Sequence, residues 1–163
     1  MKSITLILLT AAFPAVVLAE SGHQDRDTAT ITSFIAAQAR KERGDEYEEA
    51  RKVVAGDLNG DGVPETIVLY TIEGQRGSNN YIQYLAVFER RNGRLAPLAH
   101  AAVGGKLRRS VELSGINGKK ITLATLSYGP RDAACCPSIK GTAWYTLAGR
   151  NLREVTAQQS RTR

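Results

Sequence analysis

Histidine, cysteine and methionine are scarce in this chain: of 163 residues, two are His, two are Cys and one is Met. The two histidines, His23 and His100, lie far apart and cannot by themselves build an imidazole-rich metal site. There is no His-Glu-x-x-His helix, no Gly-x-Ser-x-Gly elbow and no glycine loop of the kind that cradles phosphate. Cys136 with His100 is the one nucleophile and base pairing on offer, and a proline-bounded, oxidisable loop suits it poorly. These absences favour a non-enzymatic chain. No period of 20–50 residues repeats, which excludes a multi-bladed propeller.

Long apolar runs are equally rare. The single one, Ile4 to Leu18, follows Lys2 and ends in Val17-Leu18-Ala19, with small residues placed for cleavage before Glu20. Residues 1–19 therefore read as a secretory signal peptide, too short to span a membrane comfortably. No Cys follows Ala19, so lipid attachment there is not indicated. The expected location is periplasmic or secreted, with no transmembrane segment after cleavage.

The net charge is +6. The excess is spread over Arg40, Lys41 and Arg43, then Arg90, Arg91 and Arg94, then Lys106, Arg108 and Arg109. Such groups read first as solvated turns and strand ends. A contact with an anionic envelope polymer or polysaccharide is the sharper reading. Nucleic acid is not expected, because no aromatic-interleaved basic motif occurs.

What is present divides cleanly. Residues 20–26 are polar and read as a disordered leader. Asp27 or Thr28 can cap a helix over about 28–42, with Ile31, Phe34, Ile35 and Ala39 on one face and Gly44 as its stop. After the acidic connector 45–49, period-two patterns replace period 3.6. They mark strands near 51–55, 66–72, 81–90, 95–102, 107–113, 120–127, 141–147 and 152–155, with turns at Asn92-Gly93 and across Gly115–Gly118. Pro97 implies an edge position or a bulge. The expected fold is α+β: one domain over 27–156, its N-terminal helix packed on a curled, mainly antiparallel sheet of about seven strands. Residues 157–163 read as a flexible basic tail.

The most specific stretch is Asp57-Leu58-Asn59-Gly60-Asp61-Gly62-Val63-Pro64-Glu65. Oxygen-bearing side chains stand at loop positions 1, 3, 5 and 9, and Gly62 at position 6. Position 12 is Val68 rather than a bidentate Glu. Asp57, Asn59, Asp61, the Val63 carbonyl and Glu65 form a candidate calcium set, with water or Glu73 completing it. Weak binding, with Kd on the order of 10⁻⁴–10⁻³ M, is expected without the twelfth-position Glu. The competing reading is a polar turn in which Asp57 and Asn59 bond their own backbone.

Gly56 to Glu65 resembles the calcium-binding hairpin loops of FG-GAP and integrin-α-type repeats, and also dockerin loops. One copy flanked by β-branched Thr66-Ile67-Val68 implies a calcium-pinned β-hairpin, not a propeller and not a dockerin. The ninth position is usually Asp in the FG-GAP type and is Glu65 here. The overall plan also resembles small bacterial envelope proteins, a likeness that brings no activity with it.

Cys135-Cys136-Pro137-Ser138 leaves three readings open: a vicinal disulfide stiffening the loop, buried or inter-chain cysteines, or a redox or metal site. The function classes are accordingly a calcium-stabilised binding or envelope module, a thiol-disulfide redox protein, or an anionic-polymer binder. Loops around Tyr81, Tyr128 and Cys135–Ser138 are the expected contact surface for an envelope or extracellular partner.

Overall fold

The computed structural model describes residues 16–155. One helix, α1 (Val16–Glu42), precedes β1 (Asp45–Glu46), β2 (Lys52–Gly56), β3 (Glu65–Glu73), β4 (Tyr81–Arg91), β5 (Arg94–Gly105), β6 (Arg109–Asn117), β7 (Lys120–Ser127), β8 (Ile139–Ala148) and β9 (Asn151–Val155). The strands form one antiparallel sheet in the order β1-β3-β4-β5-β6-β7-β8-β9, with β2 also paired to β3. The α+β class holds. The sheet has nine strands rather than about seven. Eight of the nine answer to the eight segments marked in the sequence, and the ninth is β1 in the acidic connector, whose two residues pair with Glu73 and Ile72. Two residues carry no periodic signal, so only long-range pairing creates that strand.

The sheet is not curled. Its strand order is an open path, and its continuity fails at one corner, where β5 and β6 share a single pair, Gly105 with Arg109. Gly105 (φ 147) packs so close to β4 that a Cβ would lie 2.7 Å from the Tyr81 carbonyl oxygen. Leu107 follows in the left-handed region (φ 62). A chain turned this sharply cannot continue the ladder, so the second half of the sheet sets off in a new direction.

Two cores result. Ile67, Leu69, Leu85 and Val87 share one cluster with Val111, Ile121, Leu123 and Tyr145, joining the two halves of the sheet. The alternate residues Val68, Tyr70, Ile72, Ala86 and Phe88 form the other with Ile31, Ile35 and Ala39 of α1. Strands β3 and β4 are thus covered on both faces, which explains their continuous apolar runs Ile67-Val68-Leu69-Tyr70 and Leu85-Ala86-Val87-Phe88. The expected helix stripe is the buried one. Phe34 adds an edge-to-face contact with Phe88, ring centroids 5.2 Å apart.

Helix α1 begins upstream of the expected start. Residues 20–26, read as a disordered leader, are helical. Thr28 and Thr30 donate their hydroxyls to the carbonyls of Gln24 and Arg26, each at 2.9 Å, so their side chains are satisfied inside the helix. Gly22 alone costs a helix only about 1 kcal/mol. Asp27 is no cap but a mid-helix residue whose carboxylate accepts from the Arg90 guanidinium. The helix does stop beside Gly44, yet Arg43 takes the left-handed position (φ 54). Gly44 is there for space, because a Cβ would sit 2.4 Å from the Glu73 carbonyl oxygen. The signal-peptide reading falls mostly on residues before 16, and the tail 157–163 likewise lies outside the described residues.

Pro97 sits at a bulge in a central strand: Val87 pairs with Ala99 and Phe88 with Pro97, leaving Leu98 extra. Asn92-Gly93 is a two-residue hairpin with φ of 51 and 74. The next hairpin turns at Gly118-Lys119 rather than across Gly115–Gly118, since Asn117 pairs with Lys120. Gly115 marks a register shift within β6 instead.

Candidate functional site

The Asp57–Glu65 loop joins β2 to β3 and is wired by its own side chains. Asp57 accepts from the amides of Gly60 at 2.5 Å and Gly62 at 3.0 Å. Asn59 Oδ1 accepts from the Asp61 amide, and Asp61 Oδ1 from the Val63 amide, both at 2.7 Å. These are the Asx turns that the oxygen spacing allows. Gly60 (φ 86) and Gly62 (φ 84) supply the left-handed steps. The Gly60 amide, helped by those of Gly62 and Asp61 and by the charge of Lys119, holds the Asp57 carboxyl below the usual carboxylate range.

Three of the expected ligand residues meet. Asn59 Nδ2 lies 2.9 Å from Asp61 Oδ2 and 2.7 Å from Glu65 Oε1. Among the described residues, no three carboxylate, imidazole or thiol groups converge by themselves. Asp61 and Glu65 come together only through the Asn59 amide. Glu65 is 3% exposed, and its other oxygen accepts from the Leu58 amide at 2.8 Å. It is a buried carboxylate held by neutral donors.

Val63 is exposed at the tip. Glu73, considered as a further ligand, begins at the opposite end of β3 and pairs with Asp45. Eight residues of strand put it roughly 26 Å from Glu65, so it cannot join the loop.

Two residues escaped the sequence reading. Leu58, between two ligand positions, is 1% exposed and belongs to the core shared by the two half-sheets. Lys119, at the β6–β7 turn, donates its ammonium to the Asn59 carbonyl at 2.7 Å. Leu58 had a signal, being apolar inside a polar loop. Lys119 had none, because it lies 60 positions away in sequence.

The disulfide loop 128–138 lies between the ends of β7 and β8. Cys135 and Cys136 are bonded to each other, which sets aside the reading of buried or inter-chain cysteines. Both residues are exposed. Asp132 is the hub: it accepts from the amides of Gly129 at 2.7 Å and Ser138 at 2.9 Å, and from the Ser138 hydroxyl. The Gly129 amide above all, together with Ser138, keeps the Asp132 carboxyl below its ordinary range. Tyr128 donates its hydroxyl to the Ala134 carbonyl at 2.9 Å. Tyr128 and Ser138, expected on a contact surface, therefore act first as ties within this loop. Tyr81 is half-buried, its hydroxyl near Ser110 and Tyr128 and raised in pKa mainly by burial.

His100 is not beside the cysteines. It stands at the exposed edge of the aromatic cluster beside α1, stacked on Tyr84 (centroids 4.9 Å) and Tyr70 (5.9 Å), with Phe34 edge-on. Its Nε2 is 2.6 Å from the Tyr70 hydroxyl. Desolvation first, then the Lys41 charge, lowers its pKa below 6.5, against a smaller opposing effect of Glu42. Well above 6.5 the imidazole is neutral in both the folded and unfolded chain and contributes no pH dependence. Below it the unfolded chain takes up the proton first, so stability falls as pH falls. Melting temperature is therefore expected to drop as pH falls from about 7 through the ordinary imidazole range. His100→Gln should flatten that slope, measured by calorimetry at matched ionic strength.

Among the described residues no helix is long and apolar enough to cross a membrane. No protein-family model, curated protein or solved structure matches the chain.

Proposed function

We propose that this chain is a secreted or periplasmic, non-enzymatic module, a binding or envelope-associated protein whose β2–β3 hairpin is closed by one calcium ion. The observation that carries this reading is the charge of the loop. Asp57, Asp61 and Glu65 bring three carboxylates to one turn, Glu65 among them buried, and Lys119 is the one ammonium bonded to it. The imbalance suits a divalent cation, and calcium prefers such an all-oxygen set.

The residues that would hold it are Asp57, Asn59, Asp61, the Val63 carbonyl and Glu65. Each bonded carboxylate oxygen keeps a further lone pair, so the existing turns arrange the donors without exhausting them. Asn59 presents its nitrogen, not its oxygen, to Asp61 and Glu65. It would have to turn its amide to contribute. The ion would supply charge compensation, and the protein's own part is to fix the turn between two strands. The likeness of the loop to FG-GAP hairpins supports the same role.

Calcium at ten times its Kd should stabilise the fold by about 1.4 kcal/mol, a rise in melting temperature of roughly 3–5 °C for a domain this size. Differential scanning calorimetry with and without calcium checks it, with magnesium as a control. Asp57→Ala with Asp61→Ala should abolish the rise. Lys119→Gln removes a like charge and should tighten calcium severalfold. A melting temperature unmoved by calcium in the intact protein would exclude the reading.

A further inference from the structure

We propose that the Cys135–Cys136 disulfide is a thiol–disulfide exchange site, and that a small amino-acid-derived thiol is its partner, docked in the cavity lined by the strands that lead into its loop. The argument begins with what this bridge does not do. A disulfide stabilises chiefly by closing a loop, and the effect grows with loop length. Adjacent residues close none. The loop it sits in is already held without it, since Asp132 ties Gly129 to Ser138 across the base and Tyr128 holds Ala134. Ser127 pairs with Ile139 directly beneath. A bridge that is dispensable for the frame, with both cysteines exposed, belongs with labile or reactive disulfides rather than structural ones.

A second observation gives the partner. The next pairs down the ladder, Leu126 with Lys140 and Thr125 with Gly141, line a cavity of about 360 Å³. That volume takes a small molecule and not a folded protein. Its lining includes buried Val111 and Thr125 together with exposed Leu126, and it carries one side chain of each charge, Lys140 and Glu112. Opposite charges in one small cavity complement a compound carrying both a carboxylate and an ammonium. Cysteine and short cysteine peptides such as glutathione have both, together with a thiol.

The exchange balances without a cofactor. A thiolate of the partner attacks one sulfur of the bridge, the Cys135–Cys136 bond breaks, and the displaced sulfur leaves as a thiolate that takes a proton from water. A second partner thiolate attacks the mixed disulfide. Two partner thiols are thereby oxidised to one disulfide, and the two cysteines gain two electrons and two protons.

The test uses the full-length mature protein, oxidised, in anaerobic buffers of defined reduced and oxidised glutathione, with alkylation and intact-mass spectrometry as the readout. The dithiol form is expected to appear as the buffer is made more reducing. Reduction by glutathione or cysteine should be about 3- to 10-fold faster than by 2-mercaptoethanol at equal thiolate concentration, the range two surface charge contacts can supply. Lys140→Ala with Glu112→Ala should erase that preference. Reduction should leave the melting temperature within about 2 °C, as a bridge without a loop to close implies. A disulfide still intact in 100-fold excess reduced glutathione overturns the exchange site. Equal rates for charged and neutral thiols overturn the docking cavity. A fall of more than about 5 °C on reduction shows a structural staple instead.

Discussion

Leu58→Ala should destabilise the protein by about 3 kcal/mol, more than any change to the polar loop residues around it. Burial dictates the size. The side chain is 1% exposed in the core shared by the two half-sheets, and a buried Leu→Ala substitution costs about 2–5 kcal/mol from lost transfer energy plus the cavity left behind. The position carries a second consequence. The Leu58 amide donates to the buried Glu65 carboxylate, so the side chain anchors the strand of backbone that carries Asp57 and Asn59. Chemical denaturation measures the stability loss. Calcium calorimetry on the same variant should show weaker binding, because the donors are no longer held in place. Leu58→Met, which keeps the volume, should lose under about 1.5 kcal/mol and retain the calcium response. Equal losses from both variants would mean that the side chain does not anchor the loop.

Phe88→Ala is the other large effect, about 4 kcal/mol. Phe88 is 0% exposed and lies in the layer between the sheet and α1, its ring edge-on to Phe34. Phe34 is only partly buried against that cluster, so Phe34→Ala should cost less. The two rings touch, so the effects should not add. A double-mutant cycle is expected to show about 1 kcal/mol of coupling, the range for edge-to-face pairs. Far-ultraviolet circular dichroism should show helix lost first in Phe88→Ala on warming. Full additivity would mean that α1 is not docked through this pair.

The half of the fold nearest the N-terminus was legible for a simple reason. Ile31, Ile35 and Ala39 are neighbours along one helix face, and that face is the buried one. The runs in β3 and β4 were readable as strands because β-branched and aromatic residues cluster there. The two covered faces were not readable, since a strand buried on both sides loses the alternation that would show which residue points where. The helix start was missed because Gly22 and a polar composition look irregular locally. The short strand β1 was missed because its pairing with Glu73 and Ile72 is made across the fold.

The candidate loop divides the same way. Its Asx turns and left-handed glycines follow from residues two to five positions apart, so Asp57, Asn59, Asp61, Gly60 and Gly62 declare them in sequence. Glu73 stands too far along β3 to reach the loop, because distance along an extended strand grows about 3.3 Å per residue. His100 is a surface residue, as the sequence suggests, but it is not isolated. Its stacking on Tyr70 and Tyr84 comes from three strands lying side by side.

By itself the sequence determined the helix stripe, most of the strands, the oxygen-rich turn and the adjacent cysteines, because each depends on residues close along the chain. Tertiary structure alone decided the rest. The corner at Gly105 and Leu107 gives the second half of the sheet its own direction. The core it shares with the first half takes in Leu58, and its β6–β7 turn puts Lys119 on the Asn59 carbonyl. The pairing of β7 with β8 brings Lys140 to the cavity that Glu112 of β6 also lines, on the strands leading into the disulfide loop. Those contacts join residues far apart along the chain, and only the path of the backbone through space brings them within a hydrogen bond of one another.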